Sequence, residues 1–276
     1  MKLNNTLTRT VVAIIGIPFV AAACYFGGIL FLIFTLGIGL LSFHEFSVMA
    51  GHKESYVNRP LGFIAIAAIV INGYVSLTGF EFLFLIFIPV LILSELFRDK
   101  ESAILNLGGT LLGVLYIGLC SYSLIKIREF SSYSPLLYEQ GGFLVISVMV
   151  SIWACDSAAF FIGSAIGRHK LFPRVSPKKS WEGAIAGFIF SVITMIAARA
   201  VILDFLTISD VIVIGLITGI FGQIGDLAES LLKRDAGVKD SSNLIPGHGG
   251  IFDRFDSLLF TAPLVYIYLF VRFYGQ

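Results

Sequence analysis

The sequence predicts an all-α, polytopic membrane protein of about nine transmembrane helices, with its N-terminus in the cytoplasm. Three observations carry this expectation. Of 276 residues, 57% are hydrophobic and 13% are charged, whereas a soluble domain carries about 25% charged residues. The apolar residues fall into nine runs, and a bilayer core takes about 17–25 of them per helix. Lysine and arginine then distribute unequally between the two sides that nine spans define. Backbone groups in lipid must satisfy their hydrogen bonds internally, so runs of this length are helices rather than barrel strands.

The nine candidate spans are 9–26, 28–50, 59–76, 80–98, 104–127, 142–167, 181–203, 209–233 and 254–273. The first lies in "MKLNNTLTRTVVAIIGIPFVAAAC", which has the basic start, apolar core and small residues of a signal peptide. It is read as a membrane helix because further apolar spans follow it. Only "YFGG" separates it from the second span, where His44 and Glu45 are read as interface or structural groups. The fourth ends in "SELFRDKE", with Glu95 and Arg98 spaced for a helix-end salt bridge. The sixth carries Asp156 among small residues that permit close packing. Ser180, in "SPKKSWE", is placed to cap the seventh. Cys24, Cys120 and Cys155 lie in apolar runs, fit neither a zinc site nor a disulfide framework, and are read as packing residues. Residues 1–140 are expected to form a scaffold with dimer or lipid contacts, and residues 141–276 a catalytic region with two cytoplasmic loops. No long linker, low-complexity tract or internal repeat interrupts the chain.

With the N-terminus in the cytoplasm, only Lys126, Arg128, Arg199 and Arg272 of the 19 basic residues fall on the far side. Positive charge concentrates on cytoplasmic loops, so the asymmetry supports both the orientation and the number of spans. The charged loops 168–180 and 234–253 then share the cytoplasmic face. The net charge of +1 gives no basis for nucleic-acid binding, which wants a strong basic bias.

Chemistry gathers in and beside those loops. Asp226, Glu229, Ser230 and Lys233 share one face of the eighth helix. Asp253 and Asp256 open the ninth, with Arg254 between them. Charged residues in or beside membrane spans mark functional sites by default. Several carboxylates without partner His or Cys suit magnesium, manganese or calcium rather than zinc; His248 alone does not argue for zinc. The "PGHGG" turn allows close approach to a ligand, and the helix N-terminus behind it favours anions. Lys233, Arg234, Lys239 and Arg254 add positive charge. The pattern is not a Walker A loop. In "GRHKLFPRVSPKKSWEG", a basic segment beside anionic lipid would explain the lysines, and Ser176 and Lys178 are also candidates for phosphate.

The stretch "SLLKRDAGVKDSSNLIPGHGGIFDRFD", from Ser230 to Asp256, resembles the C-terminal pattern of the phosphatidate cytidylyltransferase (CDP-diacylglycerol synthase) family. That pattern runs Ser, any residue, apolar, Lys-Arg, four residues, Lys-Asp, then Pro-x-His-Gly-Gly and Asp-Arg-apolar-Asp. "DSAAFFIGSAIGR" from Asp156 and "SPKKSWEG" from Ser176 are also similar to the family, so the likeness covers residues 150–276. The resemblance implies CTP and phosphatidate giving CDP-diacylglycerol and pyrophosphate, with one or two magnesium ions. It implies Asp226 and Asp253 as principal metal ligands, with Asp156, Glu229 and Asp256 as weaker ones. Lys178, Lys179, Lys239 and Arg254 would hold phosphates, with Lys233 and Arg234 beside them. Ser176, Ser180, Ser230 and the amides of His248, Gly249 and Gly250 would complete the cradle. A homodimer and a bacterial inner-membrane location, with the site at the cytoplasmic face, are further implications. Two alternatives stay open: another CTP-dependent membrane enzyme, such as a polyprenol kinase-like protein, and a cation-coupled transporter using Asp156 and Asp226 as an ion path.

Overall fold

The computed structural model describes residues 5–77, 79–130, 138–245, 247 and 249–274. Its helices are α1 (Asn5–Phe26), α2 (Gly28–Gly51), α3 (Arg59–Val75), α4 (Phe80–Leu96), α5 (Ala103–Gly113), α6 (Leu119–Arg128), α7 (Tyr138–Ile166), α8 (Trp181–Val201), α9 (Ile208–Asp235) and α10 (Phe252–Tyr274). A π-helical turn, Val114–Gly118, joins α5 to α6 in one rod. A helix therefore lies at each predicted span. Among the described residues, six are long and apolar enough to cross a membrane: α2, the α5–α6 rod, α7, α8, α9 and α10. α3 and α4 have 17 residues each. Six of the nine expected spans are thus supported among the described residues, and the count of nine is not confirmed.

The loop expected before α8 contains the only sheet among the described residues. Its strands are β1 (Lys170–Phe172) and β2 (Ser176–Ser180), paired antiparallel with Lys170 opposite Ser180. Ser180 ends β2 and caps α8 as its position predicted, its hydroxyl accepting from the Gly183 amide at 3.2 Å.

The chain divides into two compact units. The first comprises residues 1–23, 27–126 and 232–255; the second comprises 24–26, 127–231 and 256–276. In the first, a polar knot ties the turn before α3 to α4 and α5. Buried Glu95 accepts from Arg98 Nη1 at 2.8 Å and from Asn106 Nδ2 at 2.7 Å. Asn106 Oδ1 accepts from the Tyr56 amide at 2.6 Å, and Asn58 donates to Ser94 Oγ at 2.9 Å. The predicted Glu95–Arg98 bridge thus belongs to a network that offsets the cost of burying the carboxylate. Asn58 also caps α3 from Leu61 N.

In the second unit, glycines let helices approach closely, as small residues do in membranes. A Cβ on Gly183 of α8 would lie 2.6 Å from the Ala159 carbonyl oxygen of α7. One on Gly225 of α9 would lie 2.9 Å from the Asp256 carbonyl oxygen of α10. Ser151, Ser191 and Thr218 join α7, α8 and α9 through hydroxyl contacts of 2.7–2.8 Å. Arg128 is fully buried, donating to the carbonyls of Cys24, Tyr25 and Tyr138. The three cysteines are free and buried.

Candidate active site

The close contact of α9 with α10 in the second unit sets up the first group. Gly225 leaves room for α10, and the following turn of α9 carries Asp226 and Glu229 beside Asp256. Carboxylate oxygens of the three lie within 4.8 Å of one another. Glu229 is fully buried and Asp256 is 8% exposed. Asp256 Oδ1 accepts from the Ser257 amide at 2.6 Å. Asp226 Oδ1 accepts from Ser230 Oγ at 3.2 Å, and its Oδ2 lies 2.6 Å from Lys179 Nζ.

The β1–β2 hairpin explains why Lys179 reaches Asp226. Side chains alternate along a strand, so Lys179 points opposite to Lys178 and Ser180. Lys178 is exposed, Ser176 half-buried and Ser180 buried. Ser180 is occupied as a helix cap. Glu182, in the first turn of α8, accepts from the His169 amide and contacts His169 Nδ1 at 2.7 Å, which closes the base of the hairpin. Asp156 on α7 is exposed and does not join the acidic group among the described residues.

The second group lies in the first unit, around Asp253. Its Oδ1 contacts Lys233 Nζ at 2.5 Å, and the two side chains are 4% and 12% exposed. Its Oδ2 accepts from the amides of Ser241 and Gly250, at 2.9 and 2.8 Å, and lies 2.8 Å from Ser241 Oγ. Gly249 has φ of 84° and pairs with Ile245 across the turn; this left-handed backbone suits glycine. Glu45 accepts from the amides of Ile251 and Phe252 at 3.0 and 2.8 Å. The amides that open α10, offered by sequence to a phosphate, are therefore engaged by Asp253 and Glu45. Lys239, Arg234 and Arg254 are exposed, and Arg234 also contacts the Val238 carbonyl at 3.4 Å. His248 lies outside the described residues.

Sequence reasoning missed two participants. Glu45 was read as an interface or structural group, and its loop partners stand 196–207 positions away. His169 gave no signal beyond its place in a basic loop.

Chemically, the second unit offers a cluster of hard oxygen donors beside an ammonium group, a combination suited to a divalent cation and phosphate oxygens. The first offers exposed cations next to a buried carboxylate–lysine pair.

A sequence model described as the cytidylyltransferase family matches residues 7–272. The phosphatidate cytidylyltransferase of Brucella suis is 33% identical over 275 residues, covering 96% of this chain and 94% of that protein. That of Staphylococcus haemolyticus is 33% identical over 268 residues, covering 95% and 98%. That of Bacillus subtilis is 40% identical over 164 residues, which cover 59% of this chain and 58% of that protein.

Proposed function

Because the chain belongs to the cytidylyltransferase family, we propose that it transfers the cytidylyl group of CTP to phosphatidate, in phospholipid synthesis. A phosphate oxygen of the lipid forms a bond to the α-phosphorus of CTP. The bond from that phosphorus to the bridging oxygen breaks, and its electron pair leaves with pyrophosphate. CDP-diacylglycerol remains in the membrane. The choice of phosphatidate is supported by relatives of that name matching nearly full length. Six helices able to cross a membrane make this an integral membrane protein, as a lipid substrate requires. We place it in a bacterial inner membrane with its site at the cytoplasmic face, as a homodimer.

The attacking lipid phosphate is already ionised at neutral pH, so no protein nucleophile is needed. Such transfer rests on positioning and charge neutralisation. Asp226, Glu229 and Asp256 fit magnesium: three carboxylates within 4.8 Å, two of them buried, need compensating positive charge. Magnesium held there would neutralise negative charge developing on the phosphates. Lys179, fixed against Asp226, supplies a second positive charge beside it. Lys178 in the second unit, and Lys239 and Arg254 in the first, are exposed and available to phosphate oxygens. Asp253, occupied by Lys233, Ser241 and Gly250, ties the loop bearing Lys239 to the start of α10, which carries Arg254.

The observation that carries this reading is the acidic cluster beside Lys179, in a chain matched by the family over 7–272. Purified protein given CTP, phosphatidate and Mg²⁺ should release pyrophosphate, and Asp226→Asn should abolish release. No release from the wild type, or equal release from the variant, would refute the reading.

A further inference from the structure

The helices before residue 127 carry no chemistry in the reaction proposed above, yet α2 grips the charged loop of its own unit. Glu45 is 2% exposed, and its carboxylate meets four donors. Ser242 Oγ and the Ile251 amide approach Oε1 at 2.6 and 3.0 Å. Ser241 Oγ and the Phe252 amide approach Oε2, both at 2.8 Å. Just past the C-terminus of α2, His52 Nδ1 lies 3.3 Å from the Ala236 carbonyl, and Lys53 pairs with Asp235 at 3.3 Å. The segment from Asp235 to Phe252 is thus held at one end by Glu45 on α2 and at the other by the turn that follows this helix. A buried carboxylate is costly unless its hydrogen bonds are complete, and here every donor comes from the loop or from the start of α10.

We infer that Glu45 is a positioning residue for the cytidylyl transfer proposed above, on which this role rests. It fixes Ser241, Ser242, Ile251 and Phe252, and through the α10 N-terminus it sets the placement of Asp253 and Arg254. It is not a catalytic residue, because its contacts are with protein donors. Gly250 shows how closely the parts fit: a Cβ there would meet Ser241 Oγ and the Glu45 carboxylate.

Glu45→Gln is nearly isosteric. Whichever way the amide is turned, its NH₂ faces the amide of Ile251 or of Phe252, and a backbone N–H cannot turn to accept. Two readouts on the full-length protein in detergent test the inference. The first needs no substrate: tryptic cleavage after exposed Lys239 should be several-fold faster in Glu45→Gln. The second is kcat for pyrophosphate release by the monodisperse fraction, which should fall about tenfold or more for lost loop order. A merely structural glutamate would lower yield or melting temperature and leave kcat of the folded fraction unchanged. Unchanged cleavage refutes the clamp, and faster cleavage with unchanged kcat refutes the positioning role. Should Glu45→Gln fail to fold, Ser242→Ala removes one of the four contacts. It should still speed cleavage and lower kcat about threefold; no change in either overturns the inference. A wild type that releases no pyrophosphate while its Glu45→Gln form is cleaved faster would sink the proposed activity and leave the clamp standing.

Discussion

Replacing Glu229 with Gln removes one negative charge from the acidic cluster without changing its shape. At 4.8 Å and an effective dielectric of about 20, two ionised carboxylates repel by about 3.5 kcal/mol. Glu229 belongs to two such pairs, so the repulsion removed is on the order of 7 kcal/mol before screening. Lys179 offsets part of this, but it and Asp226 are 26% and 34% exposed, so solvent screens the pair to about 1 kcal/mol or less. After losses in hydrogen bonding, Glu229→Gln should stabilise the metal-free protein by about 1–3 kcal/mol. Magnesium should act in the opposite sense. At a hundred times its dissociation constant it would add about 2.7 kcal/mol to the wild type, and a tenfold weaker site would gain about 1.4 kcal/mol less. The assay is thermal unfolding in detergent, followed by the fluorescence of Trp153 and Trp181, in EDTA and in a Mg²⁺ series. The variant should melt higher than wild type in EDTA and gain less from Mg²⁺. A variant that melts lower in EDTA, or gains as much from Mg²⁺, would refute the assignment of Glu229 to a metal site.

Three other outcomes are expected. Asp253→Asn leaves Lys233, whose side chain is 12% exposed, without its carboxylate, and should cost about 3–5 kcal/mol in chemical or thermal unfolding; adding Lys233→Met should restore part of that loss. Gly183→Ala places a Cβ 2.6 Å from the Ala159 carbonyl oxygen, forces α8 away from α7, and should lower stability by about 1–3 kcal/mol in the same measurement. Lys179→Met should change stability by no more than about 1 kcal/mol, yet reduce kcat for pyrophosphate release at least tenfold, since its ammonium sits 2.6 Å from Asp226.

How much of this was legible in the sequence depends on the range of the interaction. The helix at each apolar run was legible, because a backbone in lipid has few other ways to satisfy its hydrogen bonds. Contacts three or four residues apart were legible too: Ser180 capping α8, Glu95 meeting Arg98, Asp226 and Glu229 sharing a face of α9. The number of spans was not, because α3 and α4, at 17 residues each, sit at the lower limit of length for crossing a bilayer. The β1–β2 hairpin was missed because "SPKKS" carries a proline and two lysines, poor strand formers. The environment of Asp253 was also hidden. From sequence it looked equivalent to Asp226, yet its oxygens face Lys233 and donors from Ser241 and Gly250. The register of a glycine-rich loop decides that placement, and apolar periodicity says nothing about it. Glu45 was hidden for a related reason: its donors come from a loop nearly 200 residues later.

The central claim is that the nucleotide's α-phosphate, with its cytidine, passes to a lipid phosphate. Labelling CTP with ³²P at either the α- or the γ-position tests this directly, using purified protein, phosphatidate and Mg²⁺ followed by organic extraction. Cytidylyl transfer predicts α-label in the lipid phase and γ-label in aqueous pyrophosphate. Recovery of γ-label in the lipid, as a kinase would give, or of neither label, would contradict it.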